Sequence, residues 1–236
     1  MAQDAPVLKI GTEGTYAPFS FFAPDGKLTG FDIEITQAMC DAAKLTCKFE
    51  TLDFDGMIPA LNQRKLDALA VGFSITEKRK KQVAFTDSYR TSDKRFVTCR
   101  PDVFKDVSPE TLKSRVIGTQ SGTSSADYFK SFYPESEIRL YKSMDEAFQD
   151  LGAGRLDLAM ATEPVGYDFI SKHGNGTCAF VGPRIKDEKF FGSGVGIAFR
   201  LDETELVDKF NAALKTIRDD GTYEAINARY FPFSIY

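Results

Sequence analysis

One pattern occurs twice in this chain and constrains its fold more than any other feature. A basic residue, Leu and Asp precede a short apolar run in QRKLDALAVGFS (63–74), and the same order returns in GAGRLDLAMATE (152–163). Upstream of each copy, an apolar run ends in Gly-Thr, first in VLKIGTEGTYAPF (7–19) and then in RVIGTQSGTSSADYF (115–129). Two landmarks in the same order predict two lobes of related α/β architecture.

The segments before each Leu-Asp pair predict helices. DFDGMIPALNQRK and SMDEAFQDLGAGR carry apolar residues at three-to-four spacing, and each has an early Asp suited to capping. Strands that alternate with helices of about 10 to 15 residues indicate mainly parallel sheets with crossover helices. Ligands of open α/β sheets bind beyond the carboxyl ends of the strands. We therefore expect the loops GTEGTY and GTQSGTSS to face one cleft.

The order of elements also predicts where the lobes divide. The first lobe is expected to be discontinuous, comprising residues 1–91 and 195–236, and the second to comprise residues 92–194. A final helix over residues 202–221 ends at Gly221, a residue typical of a helix C-terminus. Two crossings between the lobes form a two-stranded hinge, which suits closure around a ligand.

Composition excludes several classes of function. The 236 residues include 30 Lys and Arg against 34 Asp and Glu, and a net charge of −4 argues against nucleic acid as a partner. No apolar run approaches the roughly 18 residues that cross a bilayer. The single histidine, His173, lies in KHGNG, interpreted as a surface turn, so His-based catalytic triads are not expected. We predict no catalytic residues, no cofactor and no metal site, and we treat the Asn175-Gly176-Thr177 sequon as chance.

The cysteines and the N-terminus suggest an oxidising compartment. Cys40 and Cys47 lie seven residues apart across a helix-to-strand turn, a spacing that allows a disulfide. Cys99 and Cys178 each adjoin a strand-like run and either form a second bridge or remain free thiols. MAQDAP is interpreted as a mature N-terminus left by signal peptide cleavage, with Met1 added for expression, which predicts a periplasmic protein.

Two segments predict anion-binding helix starts. In GFSITEKRK (72–80), Thr76 is placed to cap a short helix with Arg79 at its third position, an arrangement suited to a carboxylate. The alternative is a capped surface helix with Arg79 in solvent. In TQSGTSSADYF (119–129), Ser121, Gly122, Thr123 and Ser124 open a second hydroxyl-rich helix, without the lysine of a P-loop.

Ten ordered segments resemble one known family, and they cover nearly the whole chain. They are TYAPFSF, DGKLTGFDIEI, the MC-x6-C spacing, DFDGMIPAL, KLDALAVGFSITEKR, VAFTDSY, AGRLDLA, FVGPRIKD, FGSGVGIAFR and DGTYEAINARYF. They resemble the periplasmic polar amino acid-binding proteins of ABC transporters, of the lysine/arginine/ornithine-, histidine- and octopine/nopaline-binding type. The resemblance implies the type II periplasmic binding protein fold, a monomer, and an inner-membrane permease as partner.

The resemblance also implies roles for individual residues. Arg79 would hold the ligand's α-carboxylate together with Ser74 and Thr123. Glu13 would face the distal end of the ligand. The other residues expected at the ligand are the flanking aromatic side chains Tyr16 and Phe54, the backbone at Gly72, and Val71, Thr119, Ser121, Gly122 and Thr162.

This sequence departs from the amino acid-binding members at the second Leu-Asp copy. Those members carry an Asp that binds the ligand's α-ammonium where this chain has Thr162. Glu163 follows, but side chains alternate along a strand, so it is expected to point away. Serines before the arginine helix are also replaced, by Val71 and Gly72. At position 13 those members have Asp, and the Glu of this chain is more like the residue of the opine-binding members.

These departures favour an opine or another N-substituted amino acid as ligand. The alternative is a plain basic or polar amino acid such as arginine, lysine, ornithine or histidine, with Glu163 substituting for the missing Asp. A more remote alternative is an enzyme resembling cyclohexadienyl dehydratase, in which Glu163 would transfer protons. A receptor sensor lobe would need a membrane segment.

Overall fold

The computed structural model describes residues 7–173 and 176–236. The interpreted N-terminus MAQDAP and Asn175 of the sequon lie outside these residues. The backbone of His173 ends a helix, so this residue does not lie in a turn as the sequence predicted. Within the described ranges, no helix is both long and apolar enough to span a membrane.

The strands and helices alternate along the chain. The strands are β1 (Leu8–Thr12), β2 (Thr15–Tyr16), β3 (Ser20–Phe22), β4 (Leu28–Thr29), β5 (Cys47–Thr51), β6 (Ala68–Leu69), β7 (Ala84–Phe85), β8 (Lys94–Thr98), β9 (Val116–Gln120), β10 (Glu137–Tyr141), β11 (Leu158–Thr162), β12 (Ala179–Ile185) and β13 (Ala198–Phe199). The helices are α1 (Phe31–Ala42), α2 (Met57–Asn62), α3 (Glu77–Lys80), α4 (Ser124–Phe132), α5 (Met144–Gly152), α6 (Glu163–His173), α7 (Glu188–Phe191), α8 (Thr204–Asp219) and α9 (Thr222–Tyr230). A single 3-10 turn, Phe54–Gly56, precedes α2.

The chain divides into two compact units. The first comprises the residues up to Gly14, Pro18–Thr91 and Ser193–Tyr236. The second comprises Thr15–Ala17 and Ser92–Gly192. We refer to them below as unit 1 and unit 2.

Each unit contains one five-stranded sheet, and the two sheets follow the same plan. In unit 1 the order is β5-β1-β6-β13-β7, where β5, β1 and β6 are parallel and β13 is antiparallel to its neighbours. In unit 2 the order is β10-β9-β11-β8-β12, where β10, β9 and β11 are parallel and β8 is antiparallel to its neighbours. The predicted α/β class, with mainly parallel sheets flanked by helices, is confirmed.

In unit 1 the Leu-Asp pair holds the strand that follows it against β1. Leu66 is buried and packs on Gly11, where an added Cβ would lie 2.6 Å from Leu66 Cδ1. The carboxylate of Asp67 accepts a hydrogen bond from the backbone N–H of Lys9 at 3.0 Å, and the N–H of Asp67 donates to the Lys9 carbonyl at 2.8 Å. The glycine therefore gives the leucine room, and the aspartate fixes the register.

Unit 2 repeats these contacts at the equivalent positions. Leu156 packs on Gly118, where an added Cβ would lie 2.3 Å from Leu156 Cδ1. The carboxylate of Asp157 accepts from the backbone N–H of Val116 at 2.9 Å, and its own N–H donates to the Val116 carbonyl at 2.9 Å. The repeated sequence therefore encodes one strand-pairing device, the Leu-Asp pair packed and hydrogen-bonded against a neighbouring strand, which occurs once in each unit.

The Gly-Thr pairs complete the device. The hydroxyl of Thr12 donates to the Ala70 carbonyl oxygen at 2.9 Å, and the hydroxyl of Thr119 donates to the Met160 carbonyl oxygen at 3.2 Å. Ala70 and Met160 each lie three residues after the Asp of their Leu-Asp pair. A buried hydroxyl is satisfied best by such a hydrogen bond. Thr119, which the sequence predicts to bind ligand, therefore also joins β9 to β11.

Apolar packing against these sheets supplies the core of each unit. All five residues of β11 are buried, as expected for a central strand covered on both faces. Burial of each large apolar side chain contributes roughly 1.5–3 kcal/mol. The unit 1 core includes Met57, Leu61, Leu66, Leu69, Val83 and Ala198. The unit 2 core includes Phe96, Leu112, Ile117, Phe129, Leu158 and Met160.

The helix termini correct one prediction and confirm another. Ser143, not an Asp, caps α5, because its side chain accepts from the backbone N–H of Glu146. Asp53 precedes the 3-10 turn without a side-chain capping bond. Gly221 follows α8 in the left-handed conformation, with a φ of 81°. The apolar face of α8 is buried at Phe210, Ala213, Leu214 and Ile217 and half-buried at Leu206.

Both cysteine pairs form disulfides, one in each unit. Cys40, in α1, is bonded to Cys47 at the start of β5. Cys99 and Cys178 are bonded where β8 and β12 pair antiparallel, next to the Thr98–Ala179 pair. The bridge that the spacing left open is therefore present.

Candidate functional site

The start of α3 in unit 1 places Arg79 in a buried setting. The Thr76 hydroxyl caps the helix by accepting from the Arg79 backbone N–H at 3.3 Å. The guanidinium Nη1 donates to the Ser74 carbonyl oxygen at 3.3 Å, and its Cζ lies 4.4 Å from the centre of the Phe73 ring. Arg79 is only 9% exposed. The alternative interpretation, with Arg79 in solvent, is wrong.

Two aromatic rings position this arginine. Phe54 meets Phe73 edge to face, with ring centres 4.8 Å apart and an interplanar angle of 84°. A guanidinium over an aromatic face gains roughly 0.5–2 kcal/mol, depending on desolvation. Sequence reasoning missed Phe73, although its place directly before Ser74 in GFS was a usable signal. Phe54 and Val71, both predicted at the ligand, belong to the buried apolar cluster around these rings.

The chain between β6 and α3 turns at Gly72. Its φ of 68° lies in the left-handed region, which glycine adopts without the steric cost that a Cβ imposes. Ser74, two residues on, is 2% exposed and forms an isolated antiparallel bridge with Val195. The turn therefore places the Ser74 carbonyl within hydrogen-bonding distance of the Arg79 guanidinium.

The loop after β1 is also fixed by hydrogen bonds in unit 1. The Thr12 and Ser20 hydroxyls lie 2.8 Å apart, and Ser20 Oγ accepts from the Gly14 N–H at 3.0 Å. Glu13, between Thr12 and Gly14, is 9% exposed. The residues predicted in unit 1 thus lie at the ends of β1 and β6, in the 3-10 turn before α2 and around the start of α3. They are Glu13, Phe54, Val71, Gly72, Ser74 and Arg79.

In unit 2 the loop after β9 leads into the N-terminus of α4, as predicted. The Thr123 hydroxyl caps this nine-residue helix by accepting from the Ala126 N–H at 3.4 Å, and it donates to the Gln120 carbonyl at 2.7 Å. Gly122 has a φ of 67°, so glycine is again the residue that fits the turn. The first amides of a helix carry partial positive charge, which favours an anion. Ser121 and Gly122 lie in the turn before this helix.

The end of β11 carries a hydrogen-bonded cluster of three side chains in unit 2. The Thr162 hydroxyl lies 2.8 Å from the Tyr16 hydroxyl, and Lys94 Nζ donates to Thr162 Oγ1 at 2.8 Å. Thr162 is 4% exposed and Lys94 is 8% exposed. Lys94 reaches Thr162 because β8 runs antiparallel to β11 with these two residues paired. Lys94 was not predicted, since nothing local in SDKRFV distinguishes it.

Glu163 points away from this cluster, as strand alternation predicted. Its Oε1 accepts from Arg95 Nη1 at 3.1 Å, and its Oε2 lies 2.6 Å from Arg184 Nε. Both carboxylate oxygens are therefore engaged by guanidinium groups. This arrangement opposes the alternatives in which Glu163 binds a ligand ammonium or transfers protons. Within residues 7–172 and 176–236, no three His, Cys, Asp or Glu side chains group as a metal site would require.

The family model for bacterial extracellular solute-binding proteins, family 3, matches residues 8–233. The chain belongs to this family. This membership confirms the resemblance carried by the ten sequence segments.

Two sequence relatives show how close the likeness is. This solute-binding protein is 41% identical over 238 residues to the L-arginine-binding protein of Pseudomonas aeruginosa, covering 100% of this chain and 91% of that one. It is 34% identical over 232 residues to the lysine/arginine/ornithine-binding periplasmic protein of Escherichia coli K12, covering 97% of this chain and 89% of that one.

Solved structures agree with the fold. A periplasmic binding protein of Salmonella typhimurium, described as having high arginine specificity, superposes with a TM-score of 0.89 at 31% identity, covering 96% of this chain and 100% of that one. An ancestral amino acid-binding protein, described as a precursor of cyclohexadienyl dehydratase, gives a TM-score of 0.85 at 32% identity, with 95% of each chain covered.

Proposed function

We propose that this protein captures a basic amino acid, arginine first, in the periplasm and delivers it to the inner-membrane permease of an ABC transporter. The observation that carries the proposal is the buried Arg79, held over Phe73 beside a helix N-terminus. A guanidinium binds a carboxylate as a two-pronged fork, and such a charge-assisted bond contributes roughly 1.5–3 kcal/mol.

The second anion-favouring group, at Thr123 in unit 2, extends the proposal. We expect the α-carboxylate to be bound by Arg79 together with Ser74 and by the capped start of α4 at Thr123. Apart from the short segment Thr15–Ala17, which belongs to unit 2, the chain passes between the units at Thr91–Ser92 and at Gly192–Ser193, and these two crossings are the proposed hinge. Binding by groups of both units would make closure depend on the ligand.

The comparisons favour a plain basic amino acid over the opine that the sequence departures suggested. Arginine is named for the Pseudomonas aeruginosa and Salmonella typhimurium proteins, and lysine, arginine and ornithine for the Escherichia coli protein. The opine interpretation rested on Thr162 and the pair Val71–Gly72, which concern the ligand's amine and the space around it, and on Glu13, which concerns its distal end.

An enzymatic role is less well supported. The family is one of solute-binding proteins, and the protein described as a dehydratase precursor is itself described as amino acid-binding. The one proton-transfer candidate, Glu163, is bound by Arg95 and Arg184. Both of its carboxylate oxygens are therefore already engaged by guanidinium groups within unit 2.

The test is calorimetric titration of ligand-free protein with arginine, lysine, ornithine, histidine and octopine. Mass spectrometry of any ligand carried through purification gives an independent answer. We expect arginine to bind in the micromolar range or tighter and Arg79→Met to weaken binding at least tenfold. Binding of octopine alone, or of none of these compounds, would contradict the proposal.

A further inference from the structure

Unit 1 contains a cavity of about 390 Å³ beside α3. Its apolar wall includes the buried side chains of Ile75 and Val83 and the half-buried ring of Phe85. Leu201 also lines it and is 54% exposed, which is unusual for a large apolar side chain. Cavities that bind small molecules have volumes of about 300–1,000 Å³ and mainly apolar walls. This cavity therefore has the size and the wall of a site for a small molecule.

The cavity adjoins the proposed carboxylate site without sharing its residues. Ile75 and Lys80 line the cavity, and they directly follow Ser74 and Arg79 of that site. The Ile75 N–H donates to the Gly194 carbonyl at 2.8 Å, which fixes this part of the wall. Among the described residues that line the cavity, none is predicted to bind the amino acid. Binding in the cavity is therefore independent of the proposed function.

Two hydroxyl groups that line the cavity are already engaged by the protein. The Thr86 hydroxyl donates to the Asp87 carbonyl at 2.8 Å and accepts from the Ile197 N–H at 3.0 Å. The Ser88 hydroxyl donates to the Arg90 carbonyl at 3.0 Å. These bonds hold the polar part of the wall in place, so the hydroxyl protons are not available to an occupant.

The two charged side chains of the wall differ in how they are compensated. Lys80 Nζ donates to Glu77 Oε1 at 2.8 Å, which offsets the charge of the lysine. Asp87 is bonded through its backbone, and its N–H donates to the Asn211 side chain at 2.8 Å. In the part of the chain that the structure describes, the Asp87 carboxylate has no hydrogen bond or ion pair. The charge available to an occupant is therefore negative, and it attracts a cation.

We propose that this cavity binds a small apolar amine, with its hydrocarbon part against Ile75 and Leu201 and its ammonium beside Asp87. Transfer of the hydrocarbon from water to the apolar wall drives binding. The ammonium donates to the Asp87 carboxylate, and the exposed Ser193 adds a hydroxyl oxygen as a second acceptor. An amine without a carboxylate is a different class of ligand from the amino acid proposed for Arg79.

Three phenyl compounds of similar shape test the proposal by calorimetry. They are 2-phenylethylamine, 2-phenylethanol and 3-phenylpropionate, which are cationic, neutral and anionic. We expect the amine to bind wild type with a Kd of about 1 mM or tighter. It should bind about fivefold more tightly than the alcohol, the upper end for an exposed ion pair, and the acid should bind most weakly.

Methyl NMR spectroscopy locates the bound amine independently of affinity. The methyl signals of Ile75, Val83 and Leu201 should shift as the amine is added, because these side chains line the cavity. Val71, which belongs to the predicted amino acid site, should shift less than these three.

Two variants separate the charged contact from the apolar one. Asp87→Asn should lower the ratio of amine to alcohol affinity to about one while the affinity for the alcohol stays that of wild type. Leu201→Ser should weaken the amine and the alcohol alike and keep their ratio. Asp208→Asn, at an exposed aspartate of α8 in the same unit, is the matched control and should change neither affinity. Thermal melts of each variant show that it is folded.

Four outcomes overturn the proposal. They are an amine that binds no more tightly than the alcohol, a ratio unaltered in Asp87→Asn, methyl shifts at Val71 with none at Ile75, and no binding of any of the three compounds. The proposed function is tested separately, because it concerns arginine and Arg79→Met. Failure of either proposal therefore leaves the other intact.

Discussion

Replacing Asp32 by Asn should destabilise unit 1 more than any other single removal of a charge. Asp32 and Arg90 form a two-pronged ion pair, with Nε–Oδ1 at 2.8 Å and Nη2–Oδ2 at 2.9 Å. Each side chain is 1% exposed. The Arg90 Cζ lies 3.7 Å from the centre of the Phe19 ring, which covers the other side of the guanidinium.

The magnitude follows from what the substitution leaves behind. Asn keeps the shape of Asp32, but its amide offers one acceptor oxygen and presents a donor to the second guanidinium N–H. Removing one partner of a buried pair leaves an uncompensated charge and costs about 3–5 kcal/mol. For a chain of this size, each kcal/mol lowers the melting temperature by about 2–4 °C. Asp32→Asn should therefore melt roughly 6–20 °C below wild type.

Differential scanning calorimetry is the assay, with circular dichroism as a second probe. Two units need not unfold together, so the loss should appear in the transition assigned to unit 1. Asp219→Asn, in the exposed pair with Lys215, is the control and should change little. Replacing both Asp32 and Arg90 by apolar residues should recover part of the loss. A melting temperature for Asp32→Asn within 2 °C of wild type would refute the reasoning.

Three further predictions concern the site, the repeat and alkaline pH. Arg79→Met should weaken ligand binding at least about tenfold in calorimetry. The far-UV circular dichroism spectrum should stay that of wild type, since the methionine still packs on Phe73. Unchanged affinity would contradict the role assigned to Arg79. Gly118→Ala should lower the free energy of unfolding by about 1–3 kcal/mol in denaturant titration, because the added Cβ meets Leu156. The double variant with Leu156→Ala should lose less stability than the sum of the two single losses. Strictly additive losses would show that the two residues do not touch. Burial and a hydrogen bond to Asp150 raise the pKa of Tyr141 to about 12, so its contribution to stability is complete below about pH 10 and is lost as pH rises from there towards 12. Melts from pH 9 to 11 should therefore fall less steeply in Tyr141→Phe than in wild type, and equal slopes would argue against the shifted pKa.

Local sequence predicted the elements whose causes are local. The apolar runs, the Thr76 cap, the hydroxyl-rich helix start at residues 121–124 and the Gly221 terminus each depend on residues a few positions apart. The start of α5 was wrong in its cap because Ser143 and Asp145 are both good capping residues. Ser143 caps the helix because its backbone is extended, and the sequence does not specify which of the two residues has that conformation.

Contacts between distant segments were beyond such reasoning. Cys99 and Cys178 are 79 residues apart, and only the antiparallel pairing of β8 with β12 brings them together. Lys94 reaches Thr162 by the same kind of pairing, between β8 and β11. The family resemblance marked Thr162 as a departure, but it did not indicate the lysine that accompanies it, because the two are 68 residues apart.

The repeat explains why the informative departures lie where they do. In both units the Leu-Asp pair, the glycine and the threonine make the same contacts, and this shared device ends at Ala70 in unit 1 and Met160 in unit 2. Two residues later the units diverge at equivalent positions, Gly72 and Thr162. Gly72 turns the chain with a positive φ towards Ser74 and Arg79, whereas Thr162 ends a strand and its hydroxyl accepts from Lys94. Positions inside the device are constrained by strand pairing in each unit. Gly72 and Thr162 lie two positions beyond these shared contacts, so the two units can differ there without disturbing the device, although Thr162 still pairs with Lys94 of β8.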